Sequence, residues 1–433
     1  MRHNFANFDG VSNIELQFTD ILGRLKAIDT SPERYVDAID DGKVFDGSSL
    51  NFAPIECSDL ILKPIAGTEF KLPWDPDTAR VLCDIYDSDG KVEEFPLSPR
   101  TVLKKQIERA RKIGYEPHMA VENEFFILKD GEPIDKHGYF SVTPLDETKP
   151  FRKKLFKMLP SYGISVEYMH HEVAQGQAEI TLKVQNALKM ADNVVTFKYF
   201  GQNIADSDGL IMTLMPKFRY GINGSGLHYH MSLADPNSKK NLFYDEKDSC
   251  RLSEIAKNSM AGLLEHYKSL TGLAAPSINS RKRLVPGYEA PINKAWGGKN
   301  RSALIRIPSF SSENGARIEY RAADSTGNIY LSFAGVLAAM IEGIEKKLDP
   351  EEPYTENTYE HERDFIGKTL PGTQEEVLEE LEKDPLIKET LGEKLFENYM
   401  KVRRDELVEY KEFNRIWDVK TITPWELEKY LIL

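Results

Sequence analysis

The sequence is poor in cysteine. Only Cys57, Cys83 and Cys250 occur among its 433 residues, far apart and without a CxxC spacing. This pattern argues against a disulfide framework and against a zinc knuckle. Unpaired thiols are typical of a reducing compartment, so we predict a cytoplasmic protein.

Basic residues are also in deficit. The chain has 56 lysines and arginines against 69 aspartates and glutamates, which gives a net charge of −13. Binding to the phosphates of a nucleic acid or to an anionic membrane needs a basic stripe, and here Lys and Arg are scattered along the chain. We therefore predict no nucleic-acid partner and no membrane partner.

Long apolar runs are missing as well. The most apolar segment, Ile329 to Ile344, contains Glu342 and is too short to cross a bilayer, so we interpret it as a buried core helix. Hydrophobic residues nevertheless make up 41% of the chain and charged residues 29%. This is the composition of an ordinary globular protein, and the length favours two domains.

Local signals divide the chain near residue 98. The alternation of apolar and polar residues over 14–19 predicts one arm of a hairpin, and Ser31-Pro32 predicts the start of a helix. Ser98-Pro99 predicts a second helix start, and Gly114 its end. We predict an α+β protein with a small domain over residues 1–97 and a larger domain over 98–433.

Helical patterns mark the larger domain. Two helices are predicted over residues 192–205 and 252–270. Thr373 and Glu376 form a capping-box pattern, and Pro385 interrupts the helical pattern that follows. We therefore predict a helical C-terminal appendage that begins at about residue 373.

Charged side chains recur two positions apart on segments with strand character. The repeated residues are Glu122 and Glu124, then His228 and His230, then Arg317, Glu319 and Arg321. Alternate residues of a strand project to the same face, so each set lies on one face. Buried carboxylates cost several kcal/mol each unless cations neutralise them. The pattern predicts a polar cavity that holds divalent metal ions and a polyanion.

Two further carboxylates follow on a glycine-containing bend. Glu172 and Glu179 lie on either side of Gly176 and could converge on the same ions. Hard cations such as magnesium or manganese prefer such oxygen ligands. For Glu122 and Glu124 taken alone, the charged outer face of an edge strand is the competing interpretation.

Arginines dominate the region that follows. Six of them fall within about forty residues: Arg281, Arg283, Arg301, Arg306, Arg317 and Arg321. Guanidinium groups suit phosphate and carboxylate ligands, and metal ions with arginines stabilise a transferring phosphoryl group. A surface ion-pair network is the alternative. The loop from Pro286 to Pro291, which displays Glu289 between two prolines, favours a functional role.

Two turns complete the set of candidate sites. The turn Asn223-Gly224-Ser225-Gly226 leads into the segment of His228 and His230, and its backbone can approach a ligand closely. One imidazole could bind a metal ion while the other contacts a nucleotide, although a hydrogen-bonded core pair is the alternative. Asp46, on the turn Phe45-Asp46-Gly47-Ser48-Ser49, could take a proton from an incoming amine.

Taken together, these motifs resemble a glutamine synthetase of type I, closest to the alpha subtype. The resemblance extends from about Leu16 to Trp425-Glu426-Leu427. It rests on motifs in the family's order and close to its spacing: Asp46-Gly47-Ser48-Ser49, Glu122-Asn123-Glu124-Phe125, His170-His171-Glu172-Val173-Ala174, Gly176-Gln177-Ala178-Glu179, Asn223-Gly224-Ser225-Gly226 with His228, Arg283 to Pro291, Asn300-Arg301-Ser302 and Arg317-Ile318-Glu319.

The resemblance implies a fold, an assembly and a reaction. The fold would be an N-terminal β-grasp domain and a catalytic domain whose curved, mainly antiparallel sheet is flanked by helices. The assembly would be a homo-oligomer of two stacked hexameric rings, a dodecamer with active sites between subunits. The family makes γ-glutamyl phosphate from glutamate and ATP, and ammonia then displaces the phosphate. The chain would thus be a glutamate–ammonia ligase of glutamine biosynthesis and nitrogen assimilation, with two or more Mg²⁺ or Mn²⁺ per site.

The resemblance also implies a role for each matching residue. One metal ion would be held by Glu124, Glu172 and Glu179, and the other by Glu122, His228 and Glu319. Glutamate would contact Asn223, Gly224, Arg283 and Arg321, whereas ATP would face Glu167, His230, Ser232, Arg306 and Arg317. Ammonium would be bound by Asp46 of the adjacent subunit, Ser49, Tyr139 and Glu172. The catalytic residues would be Asp46, which deprotonates ammonium, Arg301, which contacts the transferring phosphate, and Glu289, which shields the acyl phosphate from water.

Departures from the family leave alternatives open. Arg281 stands where tyrosine is usual, Asn314 where lysine is frequent, and Pro54 where similar alpha-subtype enzymes carry an arginine linked to feedback by glutamine. A γ-glutamyl-amine ligase that uses an organic amine is the alternative activity, and a non-catalytic regulatory homologue is a third interpretation. Retention of the four ammonium-site residues favours ammonium, and the presence of all six metal ligands favours an enzyme.

Overall fold

A computed structural model describes residues 8–88, 94–414 and 416–433 of the chain. Over these ranges the strands are β1 (Asn13–Thr19), β2 (Leu25–Thr30), β3 (Lys43–Asp46), β4 (Asp59–Pro64), β5 (Phe70–Leu72), β6 (Asp75–Asp87), β7 (Glu116–Lys129), β8 (Glu132–Pro133), β9 (Val166–His171), β10 (Gln177–Asn186), β11 (Ile211–Thr213), β12 (Leu227–Ala234), β13 (Trp296–Gly298), β14 (Ile305–Ile307) and β15 (Ile318–Tyr320). The helices are α1 (Pro32–Asp40), α2 (Pro99–Lys112), α3 (Lys149–Met158), α4 (Ala187–Ser207), α5 (Glu254–Glu265), α6 (Tyr267–Ala274), α7 (Ile278–Arg283), α8 (Ile329–Glu345), α9 (Gln374–Lys383), α10 (Pro385–Leu391), α11 (Glu393–Phe413) and α12 (Pro424–Tyr430).

The first sheet has six strands in the order β2-β1-β6-β4-β3, with β5 paired to β6. The predicted hairpin is confirmed, because β1 and β2 pair antiparallel through a tight turn in which Gly23 has φ +85°. The predicted helix start is confirmed as well, since the Ser31 hydroxyl accepts the backbone N–H of Arg34 at the N-terminus of α1. A small mixed α+β unit therefore forms from these local signals.

The second sheet has nine strands in the order β13-β14-β15-β12-β7-β10-β9, with β8 and β11 also paired to β7. It curls into a half-barrel, and its pairs are antiparallel except β13 with β14. Strand β7 lies at its centre, with Phe125 and Ile127 fully buried in the main hydrophobic core. The opposite face of β7 is therefore free to carry polar side chains.

Helix α8 confirms the predicted core helix. Its 17 residues are almost all buried, and it packs against α2, α4, α5 and α6. Such all-round burial explains why the segment lacks an amphipathic pattern. The part of the chain that the structure describes contains no helix that is both long enough and apolar enough to cross a membrane.

The prediction of a single helix over residues 252–270 is wrong. The segment forms two helices, α5 and α6, which meet at His266. The imidazole of His266 is hydrogen-bonded on both sides, at 2.8 Å to Glu342 of α8 and at 2.7 Å to Asp384 before α10. These tertiary contacts fix the backbone of His266 outside the helical region, and the local sequence gives no sign of them.

The C-terminal region has the predicted helical form. Thr373 and Glu376 make both hydrogen bonds of a capping box at the start of α9. Pro385 is the first residue of α10, so the predicted interruption is confirmed. Helix α11 then buries Leu395 and Tyr399 against the rest of the chain.

A buried ion-pair network connects the first sheet to helix α4 of the larger domain through Arg100 of α2. Its guanidinium donates two hydrogen bonds of 2.9 Å to Asp192 on α4 and one of 2.6 Å to Asp84 on β6. The hydroxyl of Tyr330 donates to Asp192 at 2.8 Å. Since Arg100 and Asp192 are both buried, each charge depends on the other.

Substitution Arg100→Met is expected to destabilise the protein by about 3–5 kcal/mol, because it leaves Asp192 charged, buried and without its cation. Urea unfolding followed by circular dichroism measures the effect. Arg109→Met is the matched control on the same helix, where a half-exposed pair with Glu345 is expected to contribute less than about 1 kcal/mol. Equal effects of the two substitutions would contradict the assignment.

Candidate active site

Strand register brings the predicted charged residues together on one face of the larger sheet. Glu122 of β7 lies opposite His228 of β12, and Glu124 lies opposite Glu179 of β10. Further along, His230 lies opposite Glu319 of β15. Residues that are between about fifty and about a hundred positions apart in sequence thus become cross-strand neighbours.

The first cluster comprises Glu122, His228 and Glu319, and all three are buried. The Nδ1 atom of His228 is 3.0 Å from a carboxylate oxygen of Glu122 and 3.7 Å from one of Glu319. One ligand atom from each residue lies within 4.8 Å of the others. This donor set of two carboxylates and one imidazole could hold a divalent metal ion.

Histidines and arginines of the chain itself stabilise the charge of this cluster. Burial opposes ionisation of Glu122, but His230 and His228 outweigh it and hold the pKa of the carboxyl well below its usual value. Burial likewise opposes ionisation of Glu319, but Arg321 leads the groups that lower its pKa to about 2. Both carboxylates are therefore ionised at neutral pH, as metal ligands must be.

The second cluster comprises Glu172, Glu179 and His170. The His170 ring nitrogens lie 3.5 Å from Glu172 and 3.4 Å from Glu179. Burial, followed by the charges of Glu124 and Glu179, raises the pKa of Glu172 to about 8. Burial and the charges of Glu122 and Glu124 raise the pKa of Glu179 well above its usual value. These carboxylates repel one another, and a divalent cation between them would relieve the repulsion.

Glu124 was grouped with Glu172 and Glu179 by the sequence resemblance, and in the structure it stands between the two clusters. One of its oxygens accepts the backbone N–H of Gly226 at 2.6 Å, and the other lies 3.7 Å from His228. His170 was not predicted as a ligand. The signal was present, since His170 lies two positions before Glu172, but β9 ends at His171 and Glu172 lies outside the strand.

The glycine turn packs closely against Arg283. A Cβ on Gly224 would lie 2.3 Å from the carbonyl oxygen of Pro216 and 2.9 Å from Cγ of Arg283, so only glycine fits without displacement. The Arg283 guanidinium donates to three backbone carbonyls, those of Arg321, Ala322 and Ala323, at 2.9–3.1 Å. These bonds fix the guanidinium beside the turn of Asn223 and Gly224.

One cavity collects most of the predicted residues. Its lining includes twelve of them: Glu122, Glu124, Tyr139, Glu172, Glu179, Asn223, Gly224, His228, Arg283, Glu289, Arg301 and Arg321. Gln177 and Tyr288 line it too and were not predicted as site residues. Arg281 lies outside the lining, because its buried guanidinium donates to the backbone carbonyls of Ala275 and Pro371.

The loop from Pro286 to Pro291, here called the flap, closes one side of the cavity. Arg321 donates to the carbonyl oxygen of Glu289 at 3.2 Å, and the hydroxyl of Tyr359 donates to that of Ala290 at 2.8 Å. Glu289 has φ +57°, a conformation that non-glycine residues rarely adopt. The flap is thus fixed by side chains from outside it, and Arg301 is exposed on the lining of the same cavity.

The residues predicted to face ATP lie beside the first cluster. His230 contacts Glu122 at 2.8 Å through Nε2, and its Nδ1 accepts a hydrogen bond of 3.2 Å from Arg317. Arg306 pairs with Glu319. Ser232 follows on the same face of β12, whereas Glu167 is exposed on β9, where the pairing with β10 shifts register.

Asp46 is the last residue of β3 in the first sheet, Ser49 lies in the short 3-10 helix that follows, and neither lines the cavity. The Asp46 carboxylate accepts the hydroxyls of Ser48 at 2.7 Å and Ser49 at 2.9 Å. These hydrogen bonds, with the N–H of Ser48, lower the pKa of Asp46, which is exposed. Within one chain, therefore, the predicted ammonium site is divided between two surfaces.

A buried pair that the sequence did not reveal supports the second cluster. Both oxygens of Asp135 lie 3.1 Å from Nε2 of His171, whose Nδ1 lies 2.7 Å from the carbonyl oxygen of Glu172. Asp135 also accepts the N–H of Gly176 at 2.9 Å. It therefore fixes both ends of the bend that carries Glu172. No local motif surrounds Asp135, so only the tertiary contact identifies it.

Fold and site together define the class of protein. A small mixed sheet is joined to a half-barrel sheet, and carboxylates, imidazoles and arginines surround one cavity. This set of side chains is typical of an enzyme site for phosphate and carboxylate ligands with divalent cations.

Comparison with known proteins identifies the family. The family profile for the glutamine synthetase catalytic domain matches residues 96–430, and that for the glutamine synthetase beta-Grasp domain matches residues 10–88. The chain is 42% identical to the glutamine synthetase of Thermotoga maritima over 440 residues, which cover 98% of this chain and 97% of that protein. It is 42% identical to the glutamine synthetase of Pyrococcus furiosus over 433 residues, with coverage of 97% and 96%. The chain belongs to the glutamine synthetase family, and the predicted β-grasp domain is confirmed.

Solved structures give the same architecture. The ligand-free structure of GmaS superposes with a TM-score of 0.87 at 28% identity, covering 99% of this chain and 98% of that one. The GmaS complex with ADP gives a TM-score of 0.86 at 28% identity, with coverage of 98% and 97%. The family generally uses ATP and divalent metal ions, and the donor chemistry of the two clusters fits such ions.

The raised pKa of Glu172 predicts a pH dependence of stability in metal-free protein. Between pH 4.5 and about 8 the folded state retains a proton that the unfolded state releases, so stability falls as pH rises. The slope is about 1.4 kcal/mol per pH unit while this group alone titrates. Urea unfolding in EDTA from pH 5 to 8.5 should show a smaller slope for Glu172→Gln than for wild type.

Addition of Mn²⁺ provides the control for this prediction, because a bound cation favours the ionised carboxylates and should restore stability near pH 8. Identical slopes for wild type and Glu172→Gln in EDTA would contradict the assigned repulsion.

Proposed function

We propose that the protein is a glutamate–ammonia ligase that forms glutamine, ADP and phosphate through γ-glutamyl phosphate. The observation that carries this proposal is the convergence of two carboxylate-rich clusters with Arg283, Arg321, Arg301 and the Asn223–Gly224 turn on one cavity. Metal ions with arginines can stabilise a transferring phosphoryl group, and the backbone of the turn can contact a small amino acid. Glutamine synthetases with 42% identity support the same reaction.

The metal ions would be Mg²⁺ or Mn²⁺, two or more per site. Glu122, His228 and Glu319 would hold one, and Glu172, Glu179 and Glu124 would hold another, with His170 close enough to assist. When bound, such ions would neutralise the negative charge of the phosphate groups and stabilise the charge that develops during phosphoryl transfer. The oxygen-rich donor set and the repulsion within the second cluster support this assignment.

Substrate binding is assigned to the cationic side of the cavity. Arg283 and Arg321 would bind the carboxylates of glutamate together with Asn223 and Gly224, while Arg301 would contact the phosphate in transfer. His230, Arg306 and Arg317 would face ATP with Ser232 and Glu167. Arginine forks suit both ligands, because they donate paired hydrogen bonds to carboxylate and phosphate oxygens.

The acceptor side would be completed by a second copy of the chain. Asp46 and Ser49 of the adjacent subunit would join Tyr139 and Glu172 around ammonium. The low pKa of exposed Asp46 suits binding of a cation, and desolvation by the neighbouring subunit would raise its proton affinity. Asp46 would take one proton from ammonium, and the ammonia nitrogen would then attack the acyl carbon. The bond between this carbon and the phosphate oxygen would break, and the nitrogen would lose its second proton to the departing phosphate.

The flap would protect the reactive intermediate. Hydrolysis competes with amination of an acyl phosphate, so exclusion of water determines how much amide forms. Glu289 would shield the intermediate, and the bonds of Arg321 and Tyr359 to the flap backbone support a closed position.

The domain organisation, the assembly and the location of the protein complete the proposal. We propose a β-grasp domain over residues 1–97 and a catalytic domain over 98–433, with a helical appendage from about residue 373. The oligomer would be two stacked hexameric rings with active sites between subunits, located in the cytoplasm. Glutamate, ATP and ammonium would be its small-molecule partners.

A second candidate function is γ-glutamyl-amine ligation. GmaS is a gamma-glutamylmethylamide synthetase, and its structure superposes over 99% of this chain. The first half of the reaction would be the same, and methylamine would replace ammonia. Retention of Asp46, Ser49, Tyr139 and Glu172 favours ammonium, because an amine site is expected to lose a charged member to make room.

Phosphate release from ATP in the presence of glutamate separates these candidates. Ammonium is expected to support turnover at least about tenfold better than methylamine, ethanolamine or polyamines, since one extra methylene group is worth about 1–3 kcal/mol in a closed site. The product should be identified as glutamine by chromatography. Turnover with an organic amine only would establish the second candidate, and no phosphate release with any amine would favour a non-catalytic homologue.

Asp46→Ala is expected to lower amide formation by about 10²–10⁴-fold, the usual contribution of a positioned proton acceptor, while ATP binding is retained. Activity and ATP affinity should be measured on the same preparation. Asp59→Ala is the matched control, because Asp59 pairs with Asp46 across β3 and β4 and is exposed as well. Equal activity of Asp46→Ala and Asp59→Ala would contradict the proposed role of Asp46 in deprotonating ammonium.

A further inference from the structure

Lys217 is a buried lysine that lies beneath the flap. Its side chain is fully buried, and within residues 8–88, 94–414 and 416–433 it forms no ion pair with a carboxylate. Burial and the nearby charge of Arg283 lower its pKa to about 8. Retaining an uncompensated cation inside a protein is costly, so a lysine in this position calls for a role.

The ammonium group of Lys217 connects two separate segments. It donates a hydrogen bond to the carbonyl oxygen of Ile222, which closes the turn that leads to Asn223 and Gly224. It also lies 3.7 Å from the centre of the Tyr288 ring, at a distance typical of a cation–π contact. Tyr288 immediately precedes Glu289 on the flap.

The backbone of Lys217 is itself held rigidly. The side-chain amide of Asn279 accepts its N–H at 2.7 Å and donates to its carbonyl oxygen at 3.0 Å. Asn279 donates in turn to Glu426 of α12 at 2.9 Å, and Glu426 forms a fully buried ion pair with Lys282. The backbone of the lysine is therefore fixed, while its ammonium group contacts the turn and the flap of the site.

We propose that Lys217 is a positioning residue that couples the glutamate-binding turn to the flap and so limits hydrolysis of the acyl phosphate. This inference rests on the proposed function, since it assigns glutamate to the turn of Asn223 and Gly224. A glutamate that orders this turn also orders Ile222 and the ammonium group bonded to it. The ammonium group of Lys217 then lies over the Tyr288 ring, and this contact holds the flap closed with Glu289 over the site.

Substitutions of Tyr288 can distinguish the contribution of its ring from that of its hydroxyl. A cation over the ring needs only the π face, so phenylalanine keeps the contact and leucine loses it. Tyr220 offers a control, because its ring lies 6.3 Å from that of Tyr288 and Lys217 does not lie over it. Lys217→Met keeps approximate length and removes the charge.

The test measures amide formed per phosphate released with glutamate, ATP and the preferred amine, together with phosphate released without amine. Loss of a desolvated cation–π contact is expected to raise the uncoupled fraction by about tenfold in Lys217→Met and in Tyr288→Leu. Tyr288→Phe and Tyr220→Leu should keep the wild-type ratio. The double variant Lys217→Met/Tyr288→Leu should be no more uncoupled than either single variant, because both remove one contact.

A wild-type ratio in both Lys217→Met and Tyr288→Leu would overturn the inference. Wild-type protein that releases no phosphate at all would instead contradict the proposed function, and the contact would then be tested by hydrogen exchange. Flap amides of residues 287–290 should exchange faster in Tyr288→Leu than in Tyr288→Phe, and equal exchange would overturn the coupling. Since Tyr288 is only partly buried, its substitution leaves the core intact.

Discussion

The negative charge on the polar face of strands β7 and β10 constrains the rest of the site. Glu122 is hydrogen-bonded to two histidines of β12, and Glu319 receives its countercharge from Arg306 of β14 and from Arg321 beside β15. Among the described residues, no lysine or arginine pairs with Glu172 or Glu179, which lie beside His170. Burial and the neighbouring carboxylates raise their pKa values. The chain therefore neutralises more of the carboxylate charge at one end of the cavity than at the other, where a bound cation would relieve the repulsion.

The irregular segments around the cavity are positioned by the same charged groups. Arg321 stabilises Glu319 and also donates to the flap carbonyl of Glu289. Arg283 packs against Gly224 and repels the ammonium group of Lys217, which in turn contacts Tyr288 of the flap. A substrate carboxylate bound at these arginines would change the local charge balance and also affect the position of the flap. Substrate binding and flap closure therefore depend on the same side chains.

Local patterns predicted much of the fold. The hairpin of β1 and β2, the start of α1, the core helix α8 and the capping box of α9 all follow from alternation, capping or burial within a short window. The break at His266 does not, because its causes, Glu342 and Asp384, lie about eighty and more than a hundred residues away. For the site, the spacing of Glu122, Glu124, His228 and Glu319 predicted one shared face. Asp135 and Lys217 carry no such spacing and were missed.

The sequence by itself determined which donor groups are present, which of them share a strand face, and to which family the motifs correspond. Only the tertiary structure decided which charges meet: that His170 joins Glu172 and Glu179, that Arg281 bonds backbone carbonyls outside the cavity, and that Asp46 lies on a separate surface. The reason is physical. Alternation and capping act over a few residues along the chain, whereas electrostatic energy and burial depend on distances through space.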